Sequence, residues 1–259
     1  MGDILDKFIE NAKQSVADGY YSTTDQIGKQ ATKISLAEKL RKQEFSLISE
    51  IKHASPAGEY SFDNIDAKKT AQLFKDAGAD AISVVVEPKI FKGKLDNIPD
   101  AKCAGLPVLF KDFVLDNQQI KAAASLGADV ILLVVKVADR VGFDMNDMIK
   151  KAHSHGLEVL LECYNANEMK RALETNADIL GINNRDLRTL TVDINVTKRI
   201  IDEVGKIDRP LVSESGIRTR GDAEFVKYAG AKGILVGTSI WKAKNMQTKI
   251  HELRLVNNR

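Results

Sequence analysis

Short aliphatic runs recur along the chain at residues 46–51, 81–86, 108–110, 130–135, 158–161, 179–182, 210–212 and 233–236. Each is rich in Val, Ile and Leu, which predicts a strand buried on both faces. The segments between them have helical periodicity. In 67–77 (AKKTAQLFKDA), residues Ala67, Ala71, Leu73, Phe74 and Ala77 fall near one stripe. Segments 117–126, 145–153, 167–174, 196–204 and 222–228 behave alike, and 95–104 gives the faintest signal. Eight strands alternating with helices mean parallel βαβ units. The strand count, the chain length of 259 residues and the lack of GxGxxG after the first strand favour a closed barrel over a doubly wound sheet. The expected fold is α/β, a single (βα)8 TIM barrel.

A weak internal repeat supports this alternation. Gly78-Ala-Asp80, Gly127-Ala-Asp129, Asn176-Ala-Asp178 and Gly230-Ala-Lys232 follow one another at spacings of 49, 49 and 54 residues. Each lies between a helix and a strand, where Gly or Asn suits a left-handed helix end. These turns belong to the stability face of a barrel. Residues 1–44 precede the first strand and form an N-terminal helical extension, with the barrel as one catalytic domain over 45–259. Ile4, Leu5, Phe8, Ile9 and Ala12 make an apolar stripe on a first helix, and 33–42 suggests a second. The extension either plugs the barrel bottom or covers an edge of its mouth.

Composition narrows the function. Lys and Arg number 38 and Asp and Glu 36, so there is no basic excess for nucleic acid. Two cysteines exclude a disulfide framework, and the four histidines lack metal-ligand spacing. No apolar stretch reaches membrane-spanning length, and the N-terminus MGDILDKFIENAKQ shows no secretory signal. The expectation is a cytoplasmic protein, monomeric rather than oligomeric, without metal, nucleic-acid or membrane partners.

Chemistry in a parallel barrel sits where strands end. Polar residues interrupt the apolar runs there at Glu50, Lys52, Lys111, Asp112, Glu162, 183–186, 213–216 and 237–239. Alternation puts Lys111 on the face of Leu109 and Glu162 on the face of Leu160. If those leucines point inward, two lysines and two glutamates converge in the mouth. A ring of structural ion pairs is the alternative. Burial and a second cation would lower the pKa of Lys111, making it an acid usable near neutrality. The glycine turns after strands seven and eight suit a phosphate, with Arg185 or Lys52 adding charge. Cys163 should point outward, Lys136 be solvated, and Asp112 and Asp186 brace their neighbours. Trp241 should begin the last helix and pack, and Glu214 lie near the site. A sugar-phosphate isomerase, a Schiff-base aldolase using Lys111 and a non-catalytic sugar-phosphate-binding barrel fit the same outline.

Six motifs in order carry a resemblance: EIKHASP (50–56), FKDF (110–113), LE (161–162), GINNRDL (181–187), SESGI (213–217) and VGT (236–238). The chain resembles the indole-3-glycerol phosphate synthase family from residue 46 to about 242. The resemblance implies ring closure of 1-(2-carboxyphenylamino)-1-deoxyribulose 5-phosphate with loss of carbon dioxide and water, without a cofactor. It implies that Lys111 is the general acid and that Glu162 assists dehydration beside Lys52 and Glu50. Asn183 and Ser215 would hold the aromatic carboxylate region. Ser55, Arg185, Gly216, Gly237 and Thr238 would lie at the phosphate, together with Lys52. Phe91, Phe113 and Leu132 would wall the aromatic ring. The chain departs from the family pattern at Ala57-Gly58-Glu59, at Val86-Glu87-Pro88 and at His53.

Overall fold

The computed structural model describes residues 4–22, 32–56 and 58–255. Ala57 and residues 256–259 lie outside the described residues. Eight parallel strands close into a barrel in chain order. They are β1 (Ser46–Ile51), β2 (Ala81–Val85), β3 (Val108–Lys111), β4 (Val130–Val134), β5 (Glu158–Cys163), β6 (Ile179–Asn183), β7 (Leu211–Glu214) and β8 (Gly233–Val236). β8 returns to pair with β1.

Among the described residues two helices precede the barrel, α1 (Ile4–Ala17) and α2 (Leu36–Lys42). The connecting helices are α3 (Ala67–Asp76), α4 (Asn97–Lys102), α5 (Asn117–Ser125), α6 (Val135–Val141) and α7 (Met145–Ser154). They continue as α8 (Ala166–Leu173), α9 (Asn195–Val204), α10 (Arg220–Ala229), α11 (Thr238–Trp241) and α12 (Met246–Leu253).

Alternation along the strands splits the apolar residues into two layers. Ile48, Ala81, Leu109, Val130, Leu160, Ile179, Val212 and Leu235 fill the barrel interior. Leu47, Ile82, Phe110, Ile131, Leu161, Ile182 and Ile234 face the helices, and Cys163 lies in that outer layer as expected. Leu109 and Leu160 are therefore inward, and so are Lys111 and Glu162 one pleat further on.

The repeat has a physical cause at the bottom of the barrel. Asp80 Oδ2 accepts the Leu47 N–H, Asp129 Oδ2 the Val108 N–H, and Asp178 Oδ2 the Val159 N–H, at 2.9, 2.8 and 2.8 Å. The same three residues donate their own N–H groups back to Leu47, Val108 and Val159. Each aspartate thus closes a two-way bond to the start of the neighbouring strand. Lys232 keeps only the backbone half, to the Leu211 carbonyl. Gly78, Gly127 and Gly230 are left-handed, but Asn176 is not, so the expected conformation fails at that one turn.

The N-terminal extension does both of the things the sequence left open. α2 plugs the bottom, where Leu36, Ala37 and Leu40 join the interior layer. Glu158, the first residue of β5, accepts the N–H groups of Leu36 and Ala37 at 2.9 and 3.0 Å. α1 lies over the mouth, where Phe8 stacks on Phe113 with centroids 4.5 Å apart.

Two local expectations need correction. The apolar run 130–135 continues into α6 with no turn signal, so Lys136 is a half-buried helical residue rather than a solvated one. Its ammonium lies 4.2 Å from the centroid of the Tyr164 ring. Trp241 ends α11 instead of beginning the last helix, and its Nε1–H donates to the Glu50 carbonyl at 2.7 Å.

Replacing Leu40, which is fully buried, by Ala removes much of the bottom plug. The expected loss is about 2–5 kcal/mol of unfolding free energy. It is read from the denaturation midpoint, with turnover per folded molecule unchanged.

Candidate active site

The strand ends open into a cavity of about 560 Å³ at the C-terminal face of the barrel. Lys111, the last residue of β3, reaches across the interior. Its Nζ lies 3.2 Å from Glu214 Oε2 of β7 and 3.6 Å from Glu162 Oε2 of β5. Lys52, just past β1, pairs with Glu50 at 2.8 Å. Asn183 donates to Glu162 Oε2 at 3.1 Å. The Tyr164 hydroxyl donates to the other oxygen of the same carboxylate.

Small residues make room for this crowd of charge. A Cβ on Gly181 would stand 2.6 Å from Glu214 Oε1, and one on Gly237 would stand 2.5 Å from Glu50 Oε1. Larger residues on β6 and at the end of β8 would displace the carboxylates.

Burial and Coulomb attraction oppose each other here. Burial alone would push the Lys111 ammonium down, but Glu214, Glu162 and Glu50 hold it above the usual lysine value. The sequence-based expectation of a lowered lysine is therefore reversed, because the nearest groups are carboxylates rather than a second cation. Glu214 is pushed up from 4.5 to about 8, chiefly by burial, against the pull of Lys111 and with the help of Glu162. Glu50 is also buried, yet Lys52 and Lys111 hold it below the usual carboxylate value.

The walls are apolar and come from several elements. Phe91, Phe113 and Leu132 line the cavity, joined by Phe8 from α1. Buried Glu87 accepts the N–H groups of Lys89, Ile90 and Phe91 at 2.9, 2.7 and 2.9 Å, which sets the position of Phe91. Asp112 braces as expected. It accepts from the Phe113 N–H at 2.8 Å and from the Tyr21 hydroxyl at 2.5 Å. Burial raises Asp112 to about 6. Asp186 is also a brace, holding the Arg188 N–H at 2.7 Å.

Arg185, Ser215, Gly216, Gly237 and Thr238 line the other end of the cavity. Ser215 holds a left-handed backbone, φ 67°, which costs a non-glycine residue free energy. Asn184 Nδ2 pins it there by donating to the Ser215 carbonyl at 3.0 Å. The helix after β7 does not present a free N-terminus to this end. Its first N–H groups are taken by a capping box of Thr219 and Asp222.

Of the residues that the resemblance assigns to the site, all line this cavity except Ser55; Asn184, Asp186 and Ser213, also singled out at the strand ends, stand outside it. Ser55 is buried behind the wall, where its hydroxyl donates to Glu59 Oε2 at 2.8 Å. Pro56 and Glu59 of the same loop reach the cavity instead, and Glu59 stands 3.7 Å from Lys242. The sequence reading missed Phe8, Tyr164, Arg218, Lys242 and Lys249, which also line the cavity. Tyr164 was within reach, because it follows Glu162 by two residues and shares its face. Among the described residues no cluster of His, Cys, Asp or Glu is placed to hold a metal ion, and no helix is long and apolar enough to cross a membrane.

Protonation of Glu214 makes a stability prediction. Its folded value lies above its ordinary one, so the folded state holds a proton between pH 4.5 and about 8 that the unfolded state releases. Stability from this group falls as pH rises through that window. The melting-temperature margin of Glu214→Gln relative to the wild type should therefore shift in the variant's favour from pH 5 to pH 8. A constant margin would contradict the raised value.

The profile of the family described as "Indole-3-glycerol phosphate synthase" matches residues 5–253. An indole-3-glycerol phosphate synthase of Bacillus cereus is 34% identical over 261 residues, spanning 98% of this chain and 99% of the relative. One from Bacillus mycoides is 33% identical over 257 residues, with the same shares. Among solved structures, N-acetylmannosamine-6-phosphate 2-epimerase of Clostridium perfringens superposes with a TM-score of 0.56 at 17% identity. It covers 75% of this chain and 86% of its own. A structure described as "Native KDPGal structure" gives 0.55 at 20% identity, covering 80% and 91%. The two structures share the fold alone.

Proposed function

The chain belongs to the indole-3-glycerol phosphate synthase family, and we propose that its barrel mouth closes the indole ring of 1-(2-carboxyphenylamino)-1-deoxyribulose 5-phosphate. It is a carbon–carbon lyase of tryptophan biosynthesis and takes a phosphorylated small molecule. The observation that carries the residue-level reading is the convergence of Lys111, Lys52, Glu50, Glu162 and Glu214 beside the loops after β7 and β8.

The aromatic carbon that bears the carboxylate attacks the ribulose carbonyl carbon, and the carbonyl oxygen takes a proton from Lys111. A raised lysine suits this step. The ammonium stays charged in the resting enzyme, and a developing alkoxide is basic enough to remove its proton. Loss of carbon dioxide restores the aromatic ring. The new hydroxyl then leaves as water while the carbon beside the nitrogen loses a proton, giving indole-3-glycerol phosphate. Glu162 takes that proton. Lys52 is the ammonium at hand for the departing hydroxyl, because Lys111 has given its proton to the carbonyl oxygen.

Binding follows from the two ends of the cavity. Phe91, Phe113 and Leu132 hold the aromatic ring, with Asn183 and Ser215 toward its carboxylate. Arg185 and Lys52 neutralise the phosphate against the backbone of Gly216, Gly237 and Thr238. Glu214 holds Lys111 in place. We further propose that the enzyme acts as a monomer in the cytoplasm.

A turnover assay with this substrate in EDTA, followed by indole fluorescence, tests the reaction. A steady rise is expected, and binding without any rise would refute it. Lys111→Ala should lose about 10²–10⁴-fold in kcat while the substrate still binds. Turnover at the wild-type rate in that variant would remove Lys111 from the mechanism.

A further inference from the structure

Glu162 is gripped by a cavity-lining residue just past the end of β5. The Tyr164 hydroxyl donates to Glu162 Oε1, while Asn183 donates to Oε2 at 3.1 Å and to the Tyr164 hydroxyl at 3.3 Å. Tyr164 is itself held twice. Its N–H donates to Glu168 Oε2 at 2.7 Å, and the Lys136 ammonium of α6 stands 4.2 Å from its ring centroid. Lys136 does not line the cavity.

We propose that Tyr164 is a positioning residue for Glu162, and that Lys136 fixes Tyr164 through its ring. The proposal rests on the reading of Glu162 as the base of the dehydration.

A carboxylate on a glutamate stem rotates freely unless both oxygens are engaged. Here Oε1 is committed to Tyr164, so Oε2 is the oxygen that faces Lys111 at 3.6 Å and exchanges protons in the cavity. The phenol is suited to this duty. Burial and the nearby carboxylates Glu162, Glu214 and Glu168 push its pKa well above the usual tyrosine value, so it stays a donor. A cation over the ring face is attracted to the π electrons and strengthens the hydroxyl as a donor. A hydrogen bond donated to a carboxylate favours its charged form, the form a base needs. The charged groups facing Glu162 are Lys111 from β3 and Glu214 from β7. Those facing Tyr164 are Lys136 from α6, Glu168 from α8 and Glu214 from β7.

Rate–pH profiles of the wild type, Tyr164→Phe, Lys136→Met and Glu162→Gln test the proposal. Tyr164→Phe keeps the ring and loses only the donor. Its kcat should fall about tenfold with KM within about twofold, the loss of one hydrogen bond to a charged group. The acidic limb of its kcat/KM profile should move up by about one pH unit. Lys136→Met should move the limb the same way by less, with the hydroxyl still present, so the result does not depend on packing at residue 164. Wild-type limbs in both variants, with Glu162→Gln inactive, would overturn the proposal and leave the role of Glu162 intact. Full activity in Glu162→Gln would overturn both.

Discussion

Lys111 carries a positive charge into the mouth of an apolar barrel because Glu214, on β7 across the barrel, and Glu162, on β5 two strands along, stand 3.2 and 3.6 Å away. An unpaired ammonium at that depth would lose its proton or its position. The carboxylates hold it, while burial pushes Glu214 up to about 8 against the pull of Lys111. The rest of the site follows from accommodating this pair. Gly181 leaves space for Glu214, Asn183 and Tyr164 fix Glu162, and Lys52 balances Glu50.

The two ends of the barrel divide the remaining work. At the bottom, three aspartates trade hydrogen bonds with the starts of neighbouring strands, and α2 fills the interior with Leu36 and Leu40. At the top, α1 brings Phe8 onto Phe113, so the extension supplies part of the aromatic wall. Tyr20 and Tyr21, just beyond α1, tie this arrangement to the strand ends. Tyr20 donates to the Val86 carbonyl at 3.0 Å and Tyr21 to Asp112. A side chain from the first ten residues thereby lies within reach of the same cavity as Lys249, and only closure of the barrel brings them together.

Much of this was legible in the chain. Buried strands announce themselves as aliphatic runs, and alternation ties Lys111 and Glu162 to the faces of Leu109 and Leu160, which the closed barrel turns inward. The misses have local causes. α6 was hidden because valines continue unbroken from β4 into the helix. Ser55 was assigned to the cavity on motif position, but its loop folds so that Glu59 takes the hydroxyl. Tyr164 was overlooked because it stands past the strand end, where alternation still held.

The sequence by itself determined the number and order of strands, the residues that end them and therefore the chemical inventory of the mouth. Those properties depend on neighbours two to four positions away, which a linear pattern records. Only the tertiary structure decided who pairs with whom. Lys111 and Glu214 are 103 residues apart, and their attraction depends on the width of a closed barrel and on the water it excludes. The direction in which Lys111 and Glu214 shift, the clearance at Gly181 and Gly237, and the cation over Tyr164 are all products of that closure. Coulomb energy and desolvation are functions of distance and burial, and neither is a property of residue order.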